Sequence, residues 1–176
     1  MSGRNETLES EFGGQRDETL ASAGQLAQFL PYQLSVASNA VSALIAERYR
    51  KRFGLKTPEW RVMAVLGDAA VAGGSAGMTQ RALTEATLID KVAVNRACKG
   101  LEERGLISRA PNTADGRSHI MVLTPEGRAI HAQVLPLALA TERELLEGFS
   151  KGDEQRLRAM LEHVRARVED LTPDGA

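Results

Sequence analysis

Apolar residues recur at spacings of three and four through most of the chain, which predicts a largely helical protein. From about Gln25, the residues Leu30, Leu34, Ala37, Val41, Leu44 and Ile45 form one stripe on a long helix, with Pro31 suited to its first turn. That helix should fade near Phe53-Gly54, where glycine can supply a left-handed cap. Thr57-Pro58-Glu59 reads as cap, proline and acid, and opens a second helix with Trp60, Met63, Ala64, Val65 and Leu66 on its apolar faces. Gly67 to Gly77 is rich in Gly and Ala and predicts a loop. Thr79 caps a short helix from Gln80 to Ala86, and Thr87 to Ile89 form a turn. Asp90 caps the next helix, which buries Val94, Ala97, Cys98 and Leu101, and Ile89 is placed to staple onto Val94. Gly105 ends it, with Leu106 meeting Leu101 across a Schellman turn.

The period then shortens. Leu106 to Arg109 and Ser118 to Leu123 read as two strands, joined by the turn-rich stretch Pro111 to Arg117. Thr124-Pro125-Glu126 repeats the earlier start signal and opens a helix to about Glu147, with Ile130, Val134, Leu137 and Thr141 on one stripe. Pro136 should kink it. Ser150 caps a last helix, with Asp153 at its third position and a seam of Leu157, Met160, Leu161, Val164, Val168 and Leu171. Short helix, turn, helix and hairpin is the order of a winged helix-turn-helix. The predicted fold is mainly α with a small β-wing. Residues 57–124 would form the winged helix-turn-helix lobe, flanked by helical segments at 25–56 and 125–172. Residues 1–24 carry no apolar periodicity and read as a disordered arm.

Composition narrows this picture. A hydrophobic fraction of 43% suffices for a packed core. A single cysteine, Cys98, rules out an internal disulfide scaffold. No apolar run approaches the roughly 20 residues that cross a bilayer, and the first segment lacks a basic start followed by an apolar run. A cytoplasmic protein with no membrane partner is expected. The formal net charge of −1 argues against a surface coated in positive charge. Its distribution is uneven, however. Arg48, Arg50, Lys51, Arg52 and Lys56 stand against Glu47 alone, the stretch from Arg81 to Arg117 has a small basic excess, and both ends are acidic. Any one such run is commonly just a solvated face. It gains meaning only where folding gathers it.

On the helix from Lys91 to Arg104, the residues Lys91, Asn95, Arg96 and Lys99 lie off the apolar face. Asparagine can pair with adenine, and arginine with guanine or phosphate, while Val92 and Ala93 suit a thymine methyl. Thr79 and Gln80 stand at a helix N-terminus, where backbone N–H groups can hold a phosphate, although Thr79 can equally be only a cap. His119, His131 and His163 are far apart and form no metal-ligand spacing. There is no phosphate-cradling glycine loop after a strand and no nucleophile elbow. No enzyme, catalytic residue, metal or cofactor is expected.

Three motifs stand in order: Leu101-Glu102-Glu103-Arg104-Gly105-Leu106-Ile107-Ser108-Arg109, then Asp115-Gly116-Arg117, then Leu123-Thr124-Pro125-Glu126-Gly127. Together they resemble the multiple-antibiotic-resistance regulator (MarR) family of bacterial transcription factors, whose pattern is L-E-x-x-G-L-[IV]-x-R, a wing with D-x-R, and L-T-x-x-G. The resemblance covers about Gln25 to Leu171. Asn112 stands where the family often has an earlier wing acid, and the Gly67–Gly77 stretch looks longer than usual. The resemblance implies that Arg117 reaches the minor groove or backbone of a pseudo-palindromic operator, oriented by Asp115. An arginine at a hairpin tip suits a narrow, negative groove. Arg109 would touch phosphate or brace the wing, and His119 faces outward with no specific role.

The resemblance also implies a homodimer. Leu30, Leu34, Leu157, Met160, Leu161, Val164 and Val168 would then pack between subunits, or, failing that, close a core within one chain. The implied activity is transcriptional regulation, commonly repression, with release by a small aromatic or anionic effector near Trp60, Arg61 and Met63. Trp60 is read first as core. Cys98, on the apolar face, is read as a structural thiol, because the family's peroxide-sensing position in the first helix holds no cysteine here. The competing function is a winged-helix module for protein or RNA contacts without ligand sensing.

Overall fold

A computed structural model describes residues 25–71, 77–112 and 118–172. The arm at 1–24, the wing tip at 113–117 with Asp115 and Arg117, part of the expected loop (72–76) and residues 173–176 lie outside the described residues. Six helices and three strands follow in the order α1 (Leu30–Phe53), α2 (Thr57–Val71), β1 (Gly77–Thr79), α3 (Gln80–Thr87), α4 (Lys91–Glu103), β2 (Ile107–Pro111), β3 (His119–Leu123), α5 (Pro125–Leu145) and α6 (Lys151–Leu171). A short helical turn at 25–28 precedes α1.

Local chemistry explains most boundaries. Gly54 closes α1 at φ 61, its N–H donating to the Arg50 carbonyl. The Thr79, Asp90, Thr124 and Ser150 side chains each accept the N–H three residues on, and Asp153 completes a capping box with Ser150. At the end of α4, Gly105 N–H donates to Glu102 and Leu106 N–H to Leu101, with Gly105 at φ 67, which is the expected Schellman turn. Between α3 and α4 the tight connection puts exposed Leu88 at φ 52, a left-handed conformation that costs a non-glycine residue about 1–2 kcal/mol.

Several expectations need correction. The Gly67–Gly77 loop is helical as far as Val71, because Gly67 is buried against the His131 ring, which a Cβ would strike. Glycine serves close packing there rather than a turn. Gly77 itself opens strand β1, which pairs antiparallel with β3 (Gly77 with Val122, Thr79 with Ile120), so the sheet has order β1-β3-β2 instead of two strands. Thr57 is the first residue of α2 and not its cap. Trp60 N–H bonds to the Lys56 carbonyl, and the Glu59 carboxylate accepts the Lys56 N–H at 2.8 Å, so the acid supplies what the cap side chain lacks. The hairpin strands also begin one residue later than expected. α5 runs unbroken through Pro136, whose missing hydrogen bond to Ala132 falls on the exposed side.

The core gathers Trp60, Val62, Met63 and Leu66 of α2, Leu83 of α3, Val94, Ala97, Cys98 and Leu101 of α4, and Ile107, Met121 and Leu123 of the sheet. α1 reaches it with its C-terminal half: Ala46 and Tyr49 are buried there, and Ile45 of the predicted stripe packs partly buried against the same core together with Phe53. The Tyr49 hydroxyl is buried beside Thr57 without a hydrogen bond of ordinary geometry, and burial pushes its pKa up. At the other end of the chain, α6 has no buried residue. Among the described residues, no helix is long and apolar enough to cross a membrane.

Candidate nucleic-acid interface

α4 divides cleanly. Val94, Ala97, Cys98 and Leu101 are buried, while Lys91, Val92, Asn95, Arg96 and Lys99 are exposed, Val92 at 59%. The five residues expected to read DNA therefore share the solvent side of one helix, near its N-terminal turns. A donor-rich face with one exposed apolar side chain matches what base edges and thymine methyls present. Lys99 is held loosely by Glu103, 3.9 Å away.

α3 supports this face directly. Its first residue, Gln80, donates from Nε2 to Asn95 Oδ1 at 3.3 Å. The side-chain oxygen of Thr79 accepts the Ala82 N–H, so Thr79 does serve as a cap. Cys98 lies beneath, fully buried. Burial pushes its thiol pKa up, with Gln80 only partly offsetting this, so it stays a protonated structural thiol.

The wing is braced from both sides. Arg109 Nε sits 3.1 and 3.0 Å from the two carboxylate oxygens of Glu102, which ties β2 to α4; of the two expected roles, bracing is the one the geometry supplies. Asn112 closes the base of the wing, with N–H to the Ser118 carbonyl at 3.1 Å and Nδ2 to Ser118 Oγ at 2.8 Å. An amide thus works as a hairpin clamp at the position where the family often has an acid. Exposed His119 lies opposite Pro111.

Two of the sequence motifs are one structural unit. Thr124 caps α5, donates from its hydroxyl to the Gly105 carbonyl at 2.7 Å, and donates its N–H to the Leu106 carbonyl at 3.1 Å. Gly127 lets that same Leu106 carbonyl approach where a Cβ would collide. The end of α4 is thereby fastened to the start of α5.

Family models and relatives agree with this geometry. A MarR-family model matches residues 53–118. The transcriptional regulator HosA of Escherichia coli O111:H- is 33% identical over 103 residues, which span 58% of this chain and 71% of HosA. The chain belongs to the MarR family. The fold is similar to that of a MarR/EmrR regulator from Acinetobacter sp. ADP1, with a TM-score of 0.72 at 24% identity over 82% of this chain and 98% of that one. It is also similar to BpsR of Bordetella bronchiseptica, whose DNA binding is regulated by 6-hydroxynicotinic acid, with a TM-score of 0.66 at 20% identity over 77% and 92% of the two chains. As a MarR-family protein, the chain is a transcriptional regulator with a DNA-binding winged-helix fold, and HosA, like PecS of Dickeya dadantii, is named as a transcriptional regulator.

Of the residues expected near an effector, Trp60 and Met63 belong to the core, and Trp60 stacks on His131 at 5.6 Å between ring centroids. Only Arg61 is accessible. It donates to Ser42 Oγ at 2.9 Å and lines a surface groove of about 340 Å³ with Asn39, Arg50 and Thr57. Arg50 was visible in the sequence only as part of a basic run. Its place opposite Arg61 depends on how α1 crosses α2.

Proposed function

We propose that this MarR-family regulator acts as a homodimer on a pseudo-palindromic duplex in the cytoplasm, usually as a repressor. Residues 57–124 serve as the DNA-binding lobe, and 25–56 with 125–172 as the dimerisation parts. α4 enters the major groove with Lys91, Val92, Asn95, Arg96 and Lys99, while Thr79 and Gln80 approach the backbone. The wing carries Arg117 to the minor groove with Asp115 beside it, and Arg109 holds the wing in place. The observation that carries this reading is the split of α4 into a buried apolar face and an exposed polar face, braced on one side by Gln80 and on the other by Arg109.

The dimer is supported by α6. Leu157, Met160, Leu161, Val164 and Val168 are 38–58% exposed, Leu30 is 57% exposed, and Leu34 is half-buried. An apolar seam of this length with no cover among the described residues calls for a partner. The groove between Arg50 and Arg61 suits a small anionic, often aromatic, effector, since it sits beside the N-terminus of α2. Binding there would alter the relation of α1 to α2 and so the operator affinity.

The test is a gel-shift titration at fixed salt on the duplex upstream of the protein's own gene, with and without a panel of aromatic acids. Arg117→Ala should weaken binding at least tenfold, about 1.4 kcal/mol, with the circular-dichroism spectrum unchanged. Equal affinity would remove the wing from the interface. No binding to any duplex would favour a module for protein or RNA contacts.

A further inference from the structure

Three helix ends meet at one guanidinium. Arg104 stands at the C-cap of α4. Its Nη2 donates to the Phe53 carbonyl at 2.6 Å and its Nη1 to the Gly54 carbonyl at 3.2 Å. Phe53 is the last residue of α1 and Gly54 its cap, so Arg104 binds carbonyls at the negative end of the α1 dipole. The same Nη1 lies 3.6 Å from Glu59 Oε2, and Glu59 is 5% exposed. Glu59 in turn accepts the Lys56 N–H that opens α2. One turn back on α4, Gly100 lets the helix come so near that a Cβ would stand 2.9 Å from Glu59 Oε1.

The consequence is mechanical. α1 has 24 residues and carries exposed apolar surface at its far end. It is a rod about 36 Å long, and its near end is gripped by the C-terminus of α4. Nothing about the motif that contains Arg104 requires the residue to touch DNA. Its fork is occupied by two carbonyls from another helix, a geometry that lysine, a single point donor, cannot reproduce.

We propose that Arg104 is a positioning residue: by locking α4 to the end of α1, it sets the spacing of the two α4 helices in the dimer and hence which half-site separation the protein accepts. This rests on the dimeric DNA-binding reading above. It makes spacing selectivity, rather than base selectivity or dimer formation, the property under Arg104's control. Half-sites on one face of a duplex lie roughly 34–36 Å apart, so a small tilt at the base of α1 shifts the match by a base pair or more.

The test uses duplexes selected by the wild-type protein from a randomised pool, together with versions whose half-sites are moved together or apart by one and two base pairs, and a duplex with a single half-site. Arg104→Gln and Arg104→Lys are compared with wild type by gel shift at fixed salt, light scattering and urea denaturation. Arg104→Gln should stay dimeric and change single-half-site affinity less than threefold. Its preference for the selected spacing over the shifted ones should fall at least tenfold, with Arg104→Lys intermediate. An unchanged spacing preference overturns the proposal. So does an equal loss on every duplex including the single half-site, which would put Arg104 on the DNA. If Arg104→Gln does not fold, Arg104→Lys carries the test, because it keeps the charge facing Glu59 and loses the fork that holds the Phe53 and Gly54 carbonyls. It must then show the relaxed spacing, and an unchanged preference overturns the idea. A wild-type protein that is monomeric, or that selects no duplex, overturns the functional reading itself, and this one with it.

Discussion

His131 sits where it does because Gly67 has no side chain. Its ring packs on that glycine and stacks on Trp60, half-buried between α2 and α5. Burial lowers its pKa below the ordinary 6.5, and the nearby Asp68 charge only partly opposes this. The folded state therefore prefers neutral His131, whereas the unfolded chain takes up the proton near pH 6.5. That contribution to stability is fully present above pH 6.5 and is lost as pH falls towards the lower folded value. Urea midpoints of wild type should fall between about pH 7.5 and 5.5, and His131→Phe, which keeps a ring on Trp60, should show a shallower fall. Identical slopes would mean that other groups carry the pH dependence. The sequence could not assign Gly67 this role, since glycine signals a turn and a close packing contact with the same letter. Arg109 was legible only as two options for a similar reason. Its partner Glu102 lies seven residues back across a turn, and the choice depends on how the hairpin folds onto α4.

Elements were legible wherever their signals are local. Four helices start at side-chain caps that stand beside the residues they cap, and each was placed from the sequence. The α2 start was placed one residue late, because Lys56 has no side-chain acceptor and Glu59 takes over that work from inside the helix. β1 escaped notice because three residues cannot display an alternating pattern, and its existence depends on β3, some forty residues on. The α6 seam was legible as a period, but periodicity does not say what covers it. Within the described chain, Arg158 of α6 reaches Glu142 of α5 at 2.8 Å, and this exposed, solvent-screened ion pair holds the helix only weakly. The helix needs another surface. Charging the seam with Met160→Glu and Val164→Glu should convert the protein from dimer to monomer at micromolar concentration. Light scattering would read this as a halved molar mass. A variant that keeps the dimer mass would remove α6 from the interface.

For the whole molecule, helix, turn, helix and hairpin appeared in the predicted order, and the family resemblance followed from the motifs at their joints. What stayed hidden is the meeting of α1, α2 and α4 at Arg104. Its partners are backbone carbonyls about fifty residues away, and a carbonyl has no identity in a sequence. The net charge of −1 fits an interface confined to one face. Even so, operator binding should weaken steeply with salt. Lys91→Ala should reduce the slope of log K against log salt by about 0.9 for each phosphate contact removed. An unaltered slope would show that Lys91 faces a base or solvent instead. A last consequence follows from the bare flank of α6. If its cover comes from a second copy, the assembled form obeys mass action. In dilute conditions, operator occupancy then rises with the square of the chain concentration. Gene dosage becomes an input to the switch in its own right: a cell that makes twice the protein gains up to four times the assembled regulator, and one that makes too little leaves its promoters ungoverned whatever effector is present.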